Sequence, residues 1–235
     1  METKKTTGIF PMLFTIFIWS GLWGIFEATV GYLLHLLPIS IGWLIWYPAS
    51  CFFMYNVYRK TQKAEAVVIV GLLSACIKLL NLFLPGRIDR VLNPAVSIVF
   101  ESIAMAAVLL IIRHFFEKKE MSVWGKGFVI FCMNIGWRTL YALYLLFLVP
   151  DWMREVSVIS SAESLITFFL IHNFFTGLLL FGASLISKHI LKPIKILENK
   201  ISVSLVPFSF KSAVLIKIAA AVCLLGSSVA LELLI

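Results

Sequence analysis

Charged residues are scarce in this chain, and acidic residues are the scarcer kind. Only 14% of its 235 residues are charged, with 12 acidic against 20 basic side chains, whereas 61% are hydrophobic. The mean hydropathy is +0.99. A soluble domain carries roughly 25% charged residues. Too few charges remain to cover a globule of this size, so the composition excludes a soluble protein and predicts a surface that faces lipid.

Cysteine and histidine are also few, at four residues each. The cysteines all lie inside apolar runs, without metal-ligand spacing or an obvious disulfide partner, and we interpret them as small buried hydrophobes. No two histidines have the spacing of a haem with two histidine ligands. The sequence contains no phosphate-binding loop, and no serine or cysteine has an evident base partner. These absences predict no cofactor and disfavour nucleophilic catalysis, while a membrane enzyme of another type stays open. The cysteines are Cys51, Cys76, Cys132 and Cys223.

Long apolar runs occupy most of the chain. A membrane-spanning helix needs roughly 20 apolar residues, and seven runs meet that length. The predicted fold class is therefore all-α, a polytopic integral membrane bundle. We divide it into a six-helix body with an outward-facing cavity (1–187), a basic interfacial helix and linker (188–211), and a seventh, appended C-terminal span (212–235). The predicted spans are 9–36, 41–57, 64–84, 94–112, 124–148, 163–186 and 212–234.

The formal net charge of +8 comes from basic residues in the connectors, where such residues orient a membrane protein. Most basic residues fall in connectors on one side of the predicted spans, whereas the other side holds only Arg87, Arg90 and Arg154. The positive-inside rule then predicts a multi-pass protein of the cell (plasma or inner) membrane, with its N-terminus cytoplasmic and its C-terminus outside. No soluble basic face exists that could bind nucleic acid.

Ionisable side chains interrupt five of the predicted spans. Such groups cost a few kcal/mol each inside a bilayer, so their presence calls for a reason. At about 1.5 Å per residue along a helix, all of them fall between the midplane and the outer leaflet. Two acids and two bases share this layer, which predicts that they converge. The residues are Glu27, Lys78, Glu101, Arg138 with Asn134 one turn away, and His172 with Asn173.

We interpret this polar layer as a binding cavity for a small molecule. Arg138 and Lys78 would hold an anionic group, while the two glutamates would accept hydrogen bonds or balance the bases. His172 and Asn173 would fix orientation, and Trp43 and Trp137 would stack on an apolar part.

Other interpretations of the same residues stay open. Glu27–Arg138 and Glu101–Lys78 could be structural ion pairs. Trp43, Trp46 and Tyr47 could form an interfacial belt, and the connectors 84–94 and 149–162 could be surface loops or lids. A metal site at Glu27, Glu101 and His172 is disfavoured because Lys78 and Arg138 would repel a cation, so no metal is predicted.

Small residues recur on the first predicted span at Ser20, Gly24 and Ala28. Such spacing allows another helix to approach closely, either from within this protein or from a partner. Three features carry a family resemblance: the six-helix body, this stripe, and the stretches 19–31 (WSGLWGIFEATVG) and 93–104 (NPAVSIVFESIA). In these features the chain resembles the substrate-binding S components of energy-coupling factor transporters.

That resemblance implies a function in uptake without catalysis by this chain. The stripe would dock onto a transmembrane T subunit, which is tied to two ATPases. A vitamin-like molecule or an ion would bind near the outer face and cross when the S component topples in the bilayer. The alternative is an integral-membrane enzyme or an assembly subunit of a larger membrane complex.

Overall fold

A computed structural model describes residues 8–35, 41–85, 87–116, 121–204 and 210–234. Within these ranges the chain forms nine helices and no strand, which confirms the all-α prediction. A turn of 3₁₀-helix, Leu80–Phe83, extends the third helix, and α7 contains a π-helical turn, Thr167–His172. The helices are α1 (Ile9–His35), α2 (Gly42–Thr61), α3 (Ala64–Leu79), α4 (Asp89–Phe116), α5 (Val123–Phe147), α6 (Asp151–Arg154), α7 (Ala162–Leu185), α8 (Ser187–Ser204) and α9 (Phe210–Leu234).

Six of the described helices are both long and apolar enough to cross a membrane, namely α1, α3, α4, α5, α7 and α9. The remaining predicted span is α2, whose 20 residues reach about 30 Å. It is less apolar because polar and basic side chains follow its aromatic start. It nevertheless lies inside the bundle, in contact with α1, α3, α4 and α7. The chain is therefore a multi-pass membrane protein built as one helical bundle.

The start of α4 differs from the prediction. The helix begins at Asp89 rather than near Pro94, which lies inside it. Arg87 donates two hydrogen bonds to the Asp89 carboxylate, at 3.0 and 2.9 Å. A carboxylate in the first turn is favourable because it faces the positive end of the helix dipole. Half of the connector predicted at 84–94 is thus helical.

Aromatic side chains and glycine contacts hold the core together. Trp23 and Phe53 stack with ring centroids 5.7 Å apart, which joins α1 to α2. Between α3 and α4, a Cβ at Gly71 would lie only 2.4 Å from the Ser102 Cβ. The absence of a side chain there lets the two helices approach closely.

The C-terminal helix α9 is part of the bundle rather than an appendage. It packs along α1 and also contacts the end of α3. A Cβ at Gly21 would meet the Leu224 backbone at 3.0 Å. The absence of a side chain at Gly21 therefore lets α9 pack closely along α1.

The basic segment after α7 forms the helix α8, which continues through Pro193. Leu191 is buried, and Ile194 packs against the core. The linker predicted between this helix and the last span falls largely on residues 205–209, which lie outside the described ranges.

The interpretation of the cysteines as buried residues is wrong for three of the four. Only Cys51 is buried, whereas Cys76, Cys132 and Cys223 are exposed on the bundle surface, and all four are free thiols. A small apolar side chain needs no burial on a helix face that meets lipid, because lipid tails are as apolar as a protein core.

Candidate functional site

A cavity of about 850 Å³ opens at one end of the bundle. At that end α1, α3, α5 and α9 finish while α2, α4 and α7 begin. Ligand pockets in proteins commonly enclose roughly 300–1,000 Å³. The volume therefore suits a small organic molecule.

Most of the predicted binding residues lie in the wall of this cavity. The structure brings together charged groups from α1, α3, α4 and α5, and Glu232 of α9 lies among them. Of the predicted set, Asn134 and Asn173 do not line the cavity. Those that do are Glu27, Lys78, Glu101, Arg138, His172, Trp43 and Trp137.

Arg138 is held between two aromatic rings. Its guanidinium carbon lies 4.7 Å from the centroid of Trp137 and 4.6 Å from that of Phe168. Its Nη2 also donates to the Thr176 hydroxyl at 3.3 Å. The side chain is only 2% exposed. Ring contact and hydrogen bonds hold this cation in place in the cavity wall.

Asn134 and Asn173 lie behind the wall and support it. The Asn134 Nδ2 donates to the Asn173 carbonyl at 3.0 Å and to the Thr176 hydroxyl at 2.7 Å. Its Oδ1 accepts from Trp137 Nε1 at 3.0 Å and from Arg138 Nε at 3.3 Å. The Asn134 amide fixes the orientation of the arginine and the tryptophan, and Asn173 contributes its backbone carbonyl. Neither asparagine lines the cavity, where a direct ligand contact was predicted for both.

Lys78 is paired with a residue that the sequence analysis missed. Its Nζ lies 2.6 Å from Glu232 Oε1, and Asn81 Nδ2 donates to the same oxygen at 2.8 Å. Glu232 is 1% exposed and lines the cavity. It could have been found from the sequence, because it interrupts the apolar run of the last span at the depth of Lys78.

The two ion pairs considered as alternatives, Glu27–Arg138 and Glu101–Lys78, are not formed between these four described side chains. Lys78 pairs with Glu232 instead of Glu101, and Glu27 accepts a hydrogen bond from Trp23 Nε1 at 3.3 Å instead of meeting Arg138. Charges still act between them: Glu27 is within electrostatic reach of Lys78 and Glu232, and Glu101 is within reach of Arg138.

Glu101 and Tyr47 present buried polar atoms with no partner or only a weak one. Glu101 is 4% exposed and Tyr47 is 1% exposed. Glu101 Oε2 has no hydrogen-bond partner among the described residues, and the Tyr47 hydroxyl has the thiol of Cys51, a weak partner, beside it. Both residues line the cavity. A buried polar atom left unpaired costs roughly 1–3 kcal/mol, so these atoms are candidates for ligand contacts.

Aromatic side chains form much of the remaining wall. Trp43 stacks on His172 with centroids 4.1 Å apart, and Tyr47 lies 5.3 Å from Trp137. Gly31 makes room for Trp46, because a Cβ there would lie 3.0 Å from its ring. The Trp43, Trp46 and Tyr47 trio thus faces the cavity, as a pocket wall rather than a belt alone.

Irregular backbone shapes two parts of the wall. The π-helical turn Thr167–His172 carries Phe168 and His172, both of which line the cavity. Single π-turns inside α-helices are frequent at functional sites. From the connector after α5, Val158 reaches the cavity, while Val149 and Met153 are buried against α5. This connector folds back onto the bundle beside the cavity, and the choice between a surface loop and a lid stays open.

The stripe of small residues on α1 is covered within the protein. The Ser20 hydroxyl donates to the Val70 carbonyl at 3.5 Å, and a Cβ at Gly24 would clash with the Ser228 hydroxyl of α9. Ser20, Gly24 and Ala28 are all buried. The predicted docking of a partner on this stripe is not open in the present arrangement.

No group of three or more histidine, cysteine or acidic side chains lies at metal-binding distance in the described part of the chain. Comparison of the chain with family models, with curated proteins and with solved structures gives no significant match. The case for a function therefore depends on the cavity itself.

Proposed function

We propose that this protein is a membrane-embedded substrate-binding subunit of the S-component type, which takes up a small molecule from the outer face. One observation carries the proposal: a cavity of about 850 Å³ is lined by Glu101, whose buried Oε2 has no hydrogen-bond partner among the described residues. Structural ion pairs would satisfy each other and leave no such space.

The composition of the cavity wall supports binding rather than simple packing. Small-ligand sites combine aromatic walls with a few fixed polar groups. Here Trp137 and Arg138 are held in position by Asn134 from behind. A supporting shell of this kind keeps binding groups in one geometry before the ligand arrives.

The distribution of basic residues supports an outward-facing cavity. Arg59, Lys63 and Lys126 lie at the opposite end of the bundle, at the α2–α3 turn and the start of α5. Basic connectors mark the cytoplasmic side, which leaves the cavity on the outer side.

Transport would need partners that supply energy, because this chain carries no ATPase motif. We propose a transmembrane T subunit with two ATPases, as the resemblance implies. In the present arrangement α9 covers Gly24 on α1, so a T subunit reaches that stripe only after α9 moves aside.

A cavity-filling variant tests the binding function. We expect that some members of a metabolite library raise the thermal unfolding temperature of the purified protein in detergent. Ser97→Phe adds bulk inside the cavity and abolishes these shifts. Ala107→Phe adds the same bulk on an exposed face of the same helix and preserves them. Equal shifts in both variants, or no shift in the wild type, would contradict a binding cavity.

Affinity purification from the native membrane tests the transport assignment. Recovery of a T subunit together with two ATPases supports it. Substrate turnover by the isolated chain would favour the membrane enzyme instead, and stable recovery within a complex that lacks ATPases would favour an assembly subunit.

A further inference from the structure

We infer that the ligand of this cavity is an organic cation, a protonated amine joined to an apolar or aromatic body. The inference rests on the proposed binding function and specifies its substrate class. It departs from the sequence-based prediction that Arg138 and Lys78 hold an anionic group, because the structure occupies both of those bases with other contacts.

The charge balance of the wall is the first argument. Three carboxyl groups line the inner part of the cavity, from Glu27, Glu101 and Glu232, beside two bases, the half-buried Lys78 and the buried Arg138. Arg87 and Arg90 also belong to the lining, at the mouth. Lys78 is neutralised by Glu232 at 2.6 Å. Arg138 is within electrostatic reach of Glu101, while Glu27 accepts a hydrogen bond from Trp23 Nε1 at 3.3 Å. The inner wall therefore holds one carboxyl group more than it holds bases. In a medium of low dielectric constant, a cation that enters the cavity interacts strongly with a carboxylate there.

Charges at the mouth of the cavity do not alter this balance. Arg87 forms a bidentate pair with Asp89. Arg90 is exposed, where water and salt screen its charge. His172 is stacked on Trp43 and is not a fixed cation. The surplus carboxyl group therefore lies deep in the wall.

The unpaired polar atoms give the second argument. In the described part of the wall, the buried atoms without a hydrogen-bond partner are almost all acceptors. Carboxylate and amide oxygens accept hydrogen bonds and cannot donate them, so they call for N–H donors on the ligand. A protonated amine supplies such donors together with the missing positive charge. The atoms are Glu101 Oε2, Glu232 Oε2, Asn81 Oδ1, Asn93 Oδ1 and the Tyr47 hydroxyl, which can also donate.

The aromatic lining gives the third argument. Trp46, Tyr47 and Tyr141 line the cavity beside these acceptors. The face of an aromatic ring attracts a cation and also packs against apolar groups. Metal-binding side chains do not cluster among the described residues, so an organic cation fits this wall better than a metal ion.

Two matched sets of probes test the inference by calorimetric titration of the purified protein. The first set is phenethylamine, phenethyl alcohol and hydrocinnamate; the second is tryptamine, tryptophol and indolepropionate. Within each set the body is constant and the head is cationic, neutral or anionic. We expect the amine to bind roughly tenfold or more tightly than the alcohol, and the carboxylate to bind weakest.

Charge-removing variants identify the groups responsible. Glu101→Gln should reduce the preference for amine over alcohol by roughly tenfold, and Glu27→Gln provides a second test if that variant does not fold. Glu232→Gln frees Lys78 and should raise the affinity for the carboxylate probe. Glu65→Gln removes an exposed carboxylate near the opposite end of α3 and should change nothing.

The outcomes separate the two proposals. If the alcohol or the carboxylate binds the wild type as tightly as the amine, the amine class is wrong and the binding function stands. Amine selectivity that survives in both Glu101→Gln and Glu27→Gln also contradicts the inference. If no probe binds and no library compound stabilises the protein, both the substrate class and the binding function are wrong.

Discussion

Lys78 keeps its side chain inside the bundle because Glu232 and Asn81 meet it there. The carboxylate of Glu232 is 1% exposed and accepts from both the lysine and the amide. Two charges removed from water cost several kcal/mol each, and close pairing compensates for that loss. Removing one partner leaves the charge of the other without compensation. Replacing both by apolar residues removes both charges and the cost of taking them out of water.

This asymmetry leads to a prediction for a double-mutant cycle. Glu232→Leu should lower the free energy of unfolding by about 3–5 kcal/mol, because Lys78 then lacks its counterion. The combination with Lys78→Met should recover most of that loss. Chemical unfolding in detergent, followed by circular dichroism, measures all four corners of the cycle.

An exposed ion pair provides the control for that cycle. Arg154 Nη1 lies 3.0 Å from Asp151 Oδ1, and Asp151 is 89% exposed. Asp151→Asn should change stability by less than about 1 kcal/mol, since solvent screens the pair. Equal losses in Glu232→Leu and the double variant would show that the Lys78 charge is not the cause.

Helix packing explains how α9 brings Glu232 to the cavity. Gly21 and Gly24 allow α9 to lie close against α1, in contact with Leu224 and Ser228. In a membrane, close van der Waals packing between small residues is a main source of helix association. The contact therefore positions Glu232 as well as covering α1.

Bulk at this contact should separate the two helices. Gly24→Leu would meet Ser228 and Ile77, and overpacking of this kind costs about 1–3 kcal/mol. Gly182→Leu is the matched control, because no atom lies within 4 Å of a Cβ there. We expect a lower thermal unfolding temperature for Gly24→Leu only. Equal effects of both substitutions would contradict the packing of α9 on α1.

At the scale of the whole molecule, seven spans would place the two ends of the chain on opposite sides of the membrane. The Gln62 turn between α2 and α3 lies at the end opposite the cavity, and the connector with Glu155 lies on the cavity side. If the cavity faces outward, these two positions differ in access from outside the cell.

Cysteine labelling in intact cells tests this topology. In a background whose four cysteines are replaced by serine, an impermeant maleimide should label Glu155→Cys from outside but not Gln62→Cys. Both positions should react after the membrane is permeabilised, which controls for local burial. Labelling of Gln62→Cys alone would reverse the orientation and place the cavity on the cytoplasmic side.

The sequence by itself determined the membrane class, the helical fold and most of the spans, because hydropathy depends only on local composition. It also determined that polar groups of several spans share one layer, because depth follows from counting residues. Glu27, Lys78, Glu101 and Arg138 could therefore be predicted together, and they all line the cavity.

Only the tertiary structure decided which side chains face one another. Pairing depends on helix rotation and on neighbours distant in sequence, such as Glu232 beside Lys78 and Asn134 behind Arg138. The same holds for Gly24, since its spacing predicts a close helix contact but not the identity of the second helix. The structure assigns that contact to α9, and with it the charge balance from which the cationic ligand is inferred.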